Sequence, residues 1–430
     1  MRRKSKEVNI QDFYALDFGA MWHYFKSETL AFWMICVYLF LEYVRPQSIY
    51  PVLDFLPWTQ IAVLGALVGC FLDKTVRWVS CSINATLILF FLVILASSIF
   101  AYRPDVSYSQ LNKFYTWFVI YFLIINIVNT EKRLFLFICV FFVASFKLSL
   151  SLSITWASRG FSFADWGLSG PPGFFQNSGE LAIQMLVFWP LAWAFSLKLK
   201  PYLNKVKYLV VILMPVTAIM VIMGASSRGA QLALLVQLVV LNYKSILKPK
   251  VIISCSIVFA ILWGVLPDEQ KERFKVVGDD KTSQQRLLYW ENGLEMINDN
   301  PVLGVGYFNY VVYYENYYSD DMLYDRAELP HNIFVQIGTD AGYVGVSIYL
   351  LLIIFAWRKM TSLQVALRSK GDDFSRLPRY LNISMIGFLV AGQFVTVAYY
   401  PFFWIHLSLV VSLKKVVDRM LNFNGSTNKR

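Results

Sequence analysis

The chain alternates apolar runs with polar connections, and this rhythm governs most of what can be read from it. A helix needs about twenty mostly apolar residues to cross a bilayer, and shorter runs cross when aromatic or long basic residues flank them. Twelve runs answer that description, approximately at residues 29–45, 58–72, 84–101, 115–128, 134–154, 179–197, 207–224, 229–243, 250–266, 332–356, 380–399 and 402–414. The pattern predicts an all-α polytopic membrane protein of about twelve transmembrane helices, forming one membrane domain over residues 1–430. One connection dominates. Residues 268–330, between the ninth and tenth runs, hold thirteen of the 28 acidic side chains, from Asp268 to Glu328, and are long enough for a small helical subdomain.

Composition agrees: 57% of residues are hydrophobic and 16% charged, whereas soluble domains carry about a quarter charged. The net charge of +11 does not point to nucleic acid, because no Lys/Arg run is interleaved with stacking aromatics. Instead the basic residues fall between the apolar runs. With a cytoplasmic N-terminus they fill the inside connections: Lys74/Arg77, Lys132/Arg133, Lys198 to Lys207, Lys244 to Lys250, and Arg358 to Arg379. That asymmetry follows the positive-inside rule and predicts both termini in the cytoplasm and the large loop on the opposite face. The basic start has no small-residue cleavage site after the first run, so no removed signal peptide is expected. The five cysteines lie in or beside apolar runs, which suggests neither a disulfide framework nor a zinc site.

Outward connections then comprise residues 102–114, the loop 155–178 containing Arg159 and Asn177, the turn Gly224-Ala-Ser-Ser-Arg228-Gly, and the large loop. Arg228 opens the eighth run. Unpaired N–H donors and the positive end of a helix dipole, joined by a guanidinium fork, suit a phosphate, while the same arginine also suits an interfacial anchor. Arg286 sits in a segment where Leu287, Trp290, Leu294 and Ile297 recur at helical spacing, predicting an amphipathic helix with one face for the membrane; Arg286, Trp290 and Glu291 then lie near a head group, while a solvated charge on an ordinary amphipathic helix is the competing reading of Arg286. The run Tyr307 to Tyr324, Tyr310 included, is dense in tyrosine and fits sugar rings or a membrane interface equally.

There are three histidines. His331, in Leu329-Pro-His-Asn332, stands between the polar loop and a helix start, where the dipole favours a neutral ring able to accept a proton. A histidine merely packed at a helix end is the competing reading. His23 reads as interfacial, and His406 as a neighbour of the outer face. Within the runs Lys147, Glu180 and Asp340 are ionisable, and structural pairing is expected for them. Asp279-Asp280 and Asp320-Asp321 lack supporting histidines, so no metal site is expected.

Taken together, Ser-Ser-Arg228-Gly, Arg286…Trp290…Asn-Pro301-x-x-Gly-x-Gly306, and Pro330-His-Asn332 followed by Gln336-Ile-Gly338 and Gly342-x-x-Gly345 resemble the O-antigen ligase and polymerase superfamily over about residues 175–350. Gly173-Phe-Phe-Gln-Asn177, the helix count and the large loop are similar too. Glu42-Tyr-Val-Arg-Pro-Gln and Phe55-Leu-Pro-Trp resemble members from exopolysaccharide-type clusters. The resemblance implies a GT-C-like, metal-independent, inverting glycosyltransferase of the bacterial inner membrane. It would use no cofactor and move a glycan from undecaprenyl diphosphate to an acceptor at the periplasmic face, among membrane lipids. Arg228 and Arg286 would hold the diphosphate and His331 would act on the acceptor hydroxyl or assist the leaving group. Arg159, Asn177, Trp290, Tyr307, Tyr310 and Asn332 are the candidate substrate-binding residues. The acceptor would be lipid A-core in a ligase, or another lipid-linked repeat unit in a polymerase. A transporter is the more distant alternative, but it would line a path through the membrane with polar groups, whereas here they gather on one face.

Overall fold

The computed structural model describes residues 8–76, 78–162, 167–243, 248–249, 253, 264, 271, 280–369 and 376–427. The ninth apolar run, 250–266, lies almost wholly outside the described residues, as do loop positions 268–270 and 272–279. Helices α1 (Ile10–Tyr14) and α2 (Phe18–Ser27) lead into α3 (Leu30–Val44), α4 (Trp58–Leu72), α5 (Ser82–Ile99), α6 (Pro104–Ile127), α7 (Glu131–Ser158), α8 (Ser178–Leu199), α9 (Lys205–Gly224) and α10 (Arg228–Asn242). Then come α11 (Lys281–Asp299), α12 (Tyr310–Tyr317), α13 (Ile333–Ser369), α14 (Leu377–Ala391) and α15 (Pro401–Thr427). No strand occurs among the described residues. Helices α5, α7, α8, α9 and α13 are long and apolar enough to cross a membrane, and α4, α10 and α14 are shorter apolar helices.

A helix stands at every expected run that falls within the described residues, but the boundaries differ where polar residues continue a helix. Helix α6 begins at Pro104, so most of the expected loop 102–114 is helical: Pro104 occupies the first turn, where its missing N–H costs nothing, and Asp105 lies beside it. The run 380–399 ends as helix at Ala391, and residues 392–400 form a turn-rich link. The closing run 402–414 extends to Thr427.

Two ends of the bundle differ in chemistry. At one, Arg133 Nη2 lies 2.6 Å from Glu28 Oε2 and 3.4 Å from Asp73 Oδ2, with all three side chains buried. Nearby, Lys207 donates to the carbonyls of Ala15 and Leu16, Arg379 to that of Leu241 and Arg419 to that of Asn129. These are residues expected on the inside, together with the start and tail of the chain. The other end carries the described part of the large loop, which packs by α11 against α13 through Gly293, where a Cβ would lie 2.5 Å from Val335 Cγ1.

On α11, Ile297 is buried together with Gln285, Tyr289, Asn292 and Met296, while Leu287 and Leu294, of the apolar face expected to meet the membrane, are 58% and 51% exposed. The close approach at Gly293 turns the Tyr289–Met296 side inward. Tyr289, Met296, Val305, Tyr310, Tyr314 and Ala327 form a core of the loop's own. Helix α13 breaks at Ala341–Gly342, and Pro301–Val305 docks in the break: Tyr343 N–H donates to Pro301 O at 2.8 Å and Val305 N–H to Thr339 O at 2.8 Å. Asp340 accepts from Phe308 N–H at 2.9 Å, and its carbonyl accepts from Ser97 Oγ. Lys147 lies on an exposed face with no ion pair among the described residues.

Candidate functional site

The turn before α10 presents Arg228. Ser226 adopts φ +56°, and Ser227 caps the helix by accepting from Ala230 N–H. Against this turn lies Gly167, at φ +72°, where a Cβ would meet the Ala225 carbonyl at 2.1 Å; no other residue fits so close a crossing. The Asn177 turn adjoins it as well, since a Cβ on Gly179 would lie 3.8 Å from Ser227 Oγ. Arg228 therefore sits at the first position of a helix whose start is braced from two sides. Its Nη2 is 3.1 Å from Asp280 Oδ2, with the pair 39% and 30% exposed.

Asp280 is the N-cap of α11, accepting from Ser283 N–H at 2.9 Å and from Ser283 Oγ at 2.7 Å. Burial pulls its carboxyl upward, but the Ser283 bonds and Arg228 outweigh that and hold it below its usual value. The same helix carries Arg286, whose guanidinium is pushed below its ordinary value, first by burial and next by the like charge of Arg228, with Asp280 and Glu328 opposing. Arg286 Nε is buried without a hydrogen-bond partner among the described residues. Two cations thus share one pocket of charge, and one donor waits unmet. A buried donor left so is costly unless something else satisfies it.

His331 completes the group. It has φ +51°, a conformation unfavourable for a residue with a Cβ, and is clamped: its N–H donates to Thr396 Oγ1 at 2.9 Å, and Trp290 Nε1 donates to the preceding Pro330 carbonyl at 2.8 Å. The Trp290 ring lies 6.3 Å from that of Phe394. Phe394 also packs on Gly229, so α10, α11, the 392–400 link and the start of α13 converge there. His331 Nε2 is 2.8 Å from Glu328 Oε2, and Glu328 N–H donates to Tyr289 Oη at 2.9 Å. That His331 bond, with Arg286 in support, holds the Glu328 carboxyl below its usual value against burial.

Residues 213–350 match the family model described as O-antigen ligase. Over that segment the chain is similar to the O-antigen ligase family. The matched segment contains Arg228, Arg286 and His331, the three residues that the fold brings to one face. No curated protein matches the chain.

Other candidates distribute differently around the matched segment. Trp290 acts as a brace for Pro330. Asn332 caps α13, its Oδ1 accepting from Phe334 and Val335 N–H, and its Nδ2 reaches Gln393. Asn177 caps α8, accepting from Gly179 N–H at 2.8 Å, while Glu180 accepts from Tyr400 Oη at 2.8 Å. Arg159 is exposed at the end of α7, and no described contact joins it to Arg228, Arg286 or His331. Tyr307 and Tyr310 have no exposed surface: Tyr307 packs on Phe308 and Tyr399, and Tyr310 bonds the Tyr289 carbonyl. Their rings face protein, so the expected stacking on sugars has no open surface there. His406 is buried within the bundle, with neither ring nitrogen hydrogen-bonded among the described residues. His23 is exposed. Among the described residues no group of three His, Cys, Asp or Glu is placed to hold a metal.

The sequence pattern gave Asp280 no role beyond a rejected metal pair and gave Glu328, Tyr289, Phe394 and Thr396 none. Asp280-x-x-Ser283 before an amphipathic stretch is a capping signal, and Glu328-x-x-His331 puts a carboxylate three residues from the histidine. Thr396 had no local signal, being 65 residues from its partner.

Proposed function

We propose that the protein transfers a glycan from undecaprenyl diphosphate to an acceptor hydroxyl at the periplasmic face of the bacterial inner membrane, with inversion and without a metal. The observation that carries this reading is the shared charge environment of Arg228 and Arg286, one at a helix N-terminus and one with a buried, unmet donor, beside a clamped histidine. Two guanidinium groups offset the negative charge that grows on a departing diphosphate, and charge-assisted bonds to phosphate are the strong ones. In the step, the acceptor oxygen bonds to the anomeric carbon as its proton passes to His331. The bond from that carbon to the phosphate oxygen breaks, and the electron pair leaves with the lipid diphosphate. The basic end of the bundle supports a cytoplasmic placement for the termini, which leaves this site outward.

Arg228→Ala, Arg286→Ala and His331→Ala are each expected to lower transfer by about 10²–10³-fold, the size seen when one donor to a developing charge is removed. Membrane insertion, followed by a fused reporter, stays at the wild-type level. Full activity in all three variants sinks the reading. The glycan phenotype of a deletion names the acceptor: uncapped lipid A-core with polymer retained on its carrier belongs to a ligase, single repeat units to a polymerase.

A further inference from the structure

Resting on the transferase reading, we propose that Glu328 is a positioning residue that fixes the tautomer of His331, so that Nδ1 is the atom that takes the acceptor's proton. The argument begins with the contact of 2.8 Å between Nε2 and Glu328 Oε2. An ionised carboxylate only accepts, so the ring nitrogen facing it must carry the hydrogen. Glu328 is kept ionised by His331 itself and by Arg286, its carboxyl being held low. In a neutral imidazole with hydrogen on Nε2, the lone pair is on Nδ1. No described residue hydrogen-bonds to Nδ1, and the His331 side chain keeps 22% of its surface exposed.

The surroundings allow little else to set the ring. Of the groups facing this pair, Thr396 and Trp290 bind backbone atoms of residues 331 and 330, Tyr289 binds the Glu328 backbone, and Arg286 bears on the carboxylate by charge. The backbone is therefore held by neighbours, and the ring orientation is left to Glu328. When the acceptor hydroxyl gives its proton to Nδ1, the new imidazolium donates to Glu328 from Nε2 and is stabilised where it forms. The proton, the new O–C bond and the pair leaving with diphosphate balance, with no further reactant.

With three histidines in the chain, ¹⁵N-histidine labelling of the full-length protein in nanodiscs resolves the ring nitrogens, and His331→Gln assigns the His331 signals. The expected wild-type spectrum at alkaline pH has hydrogen on Nε2 and an unprotonated Nδ1. In Glu328→Ala that preference is lost, and kcat falls by about ten- to a hundredfold, as for outer partners of functional histidines, with KM for the donor within about twofold. Glu328→Asp recovers much of both. A wild-type ring with hydrogen on Nδ1, or a Glu328→Ala protein with wild-type kcat and tautomer, overturns the proposal. If His331→Gln transfers glycan normally, the transferase role of His331 falls and takes this proposal with it. An inactive His331→Gln beside a fully active Glu328→Ala removes the present proposal alone.

Discussion

The break in α13 lends itself to a decisive substitution, Gly342→Ala. Gly342 has φ +62° and ψ −168°, a region that is essentially glycine's own, and forcing a residue with a Cβ into it costs about 1–3 kcal/mol. The added carbon would sit 2.5 Å from the Val302 carbonyl carbon and 2.6 Å from Pro301 O, both backbone atoms that cannot rotate aside. Moving them breaks the Tyr343 to Pro301 bond of 2.8 Å, another loss of about 1 kcal/mol. Together these give roughly 2–4 kcal/mol before any clash that remains. Because Pro301 follows directly on α11, the displacement reaches the helix that carries Arg286 and Trp290. The assay is thermal unfolding in detergent, with limited proteolysis of the loop and glycan transfer on the same preparation. Gly160→Ala is the control: φ is +64° there too, but the space is open, so only the left-handed strain of about 1–2 kcal/mol applies. Gly342→Ala should melt earlier than Gly160→Ala, expose the loop to protease and lose transfer. If Gly342→Ala equals wild type in all three, the docking of the loop into the α13 break is not what holds the site together.

Three further outcomes follow from the same structure. Arg133→Met leaves the buried carboxylates of Glu28 and Asp73 without their cation, so stability falls by about 3–5 kcal/mol while turnover per folded molecule, at the other end of the bundle, is unchanged; a melt like the wild type's contradicts it. Asp280→Asn removes an anion that competes with the donor for Arg228, so KM for the lipid diphosphate falls by about two- to fivefold, the equivalent of a partly solvated pair of about 0.5–1 kcal/mol. Folded Asp280 is held below the ordinary value of 3.8, so this pair is complete above that pH and lost only as pH falls through the lowered folded value; the variant's difference persists across neutral pH, and an unchanged or raised KM counts against competition. A chelator leaves the transfer rate within about twofold of its starting value if two guanidinium groups supply the charge, whereas a loss restored by a divalent cation assigns that work to a metal.

How much of this was legible beforehand depends on the range of the interaction. Apolar runs mark helices because burial in lipid and in the bundle is decided locally, and α3, α4 and α5 begin and end within two residues of their expected positions. Residue type and place singled out Arg228, Arg286 and His331, but no spacing brings together residues that far apart in the chain; only the resemblance to a family gave them common roles. The tyrosines failed for a related reason. Tyr307 and Tyr310 lie in a polar excursion and read as exposed, yet the excursion buries a core of its own, and a ring inside it has no pattern of period to betray it. Thr396 is the sharpest case. Its hydroxyl accepts from the His331 N–H while Trp290 holds the neighbouring carbonyl, so the left-handed backbone at His331 is sustained from two elements remote in the chain. A strained backbone conformation persists only where the surroundings over-determine it, and those surroundings are tertiary. The histidine is marked by one tripeptide, Pro330-His-Asn332, but its geometry is held by α11 and the 392–400 link, and the sequence offered Glu328 three residues away without showing that the two side chains meet.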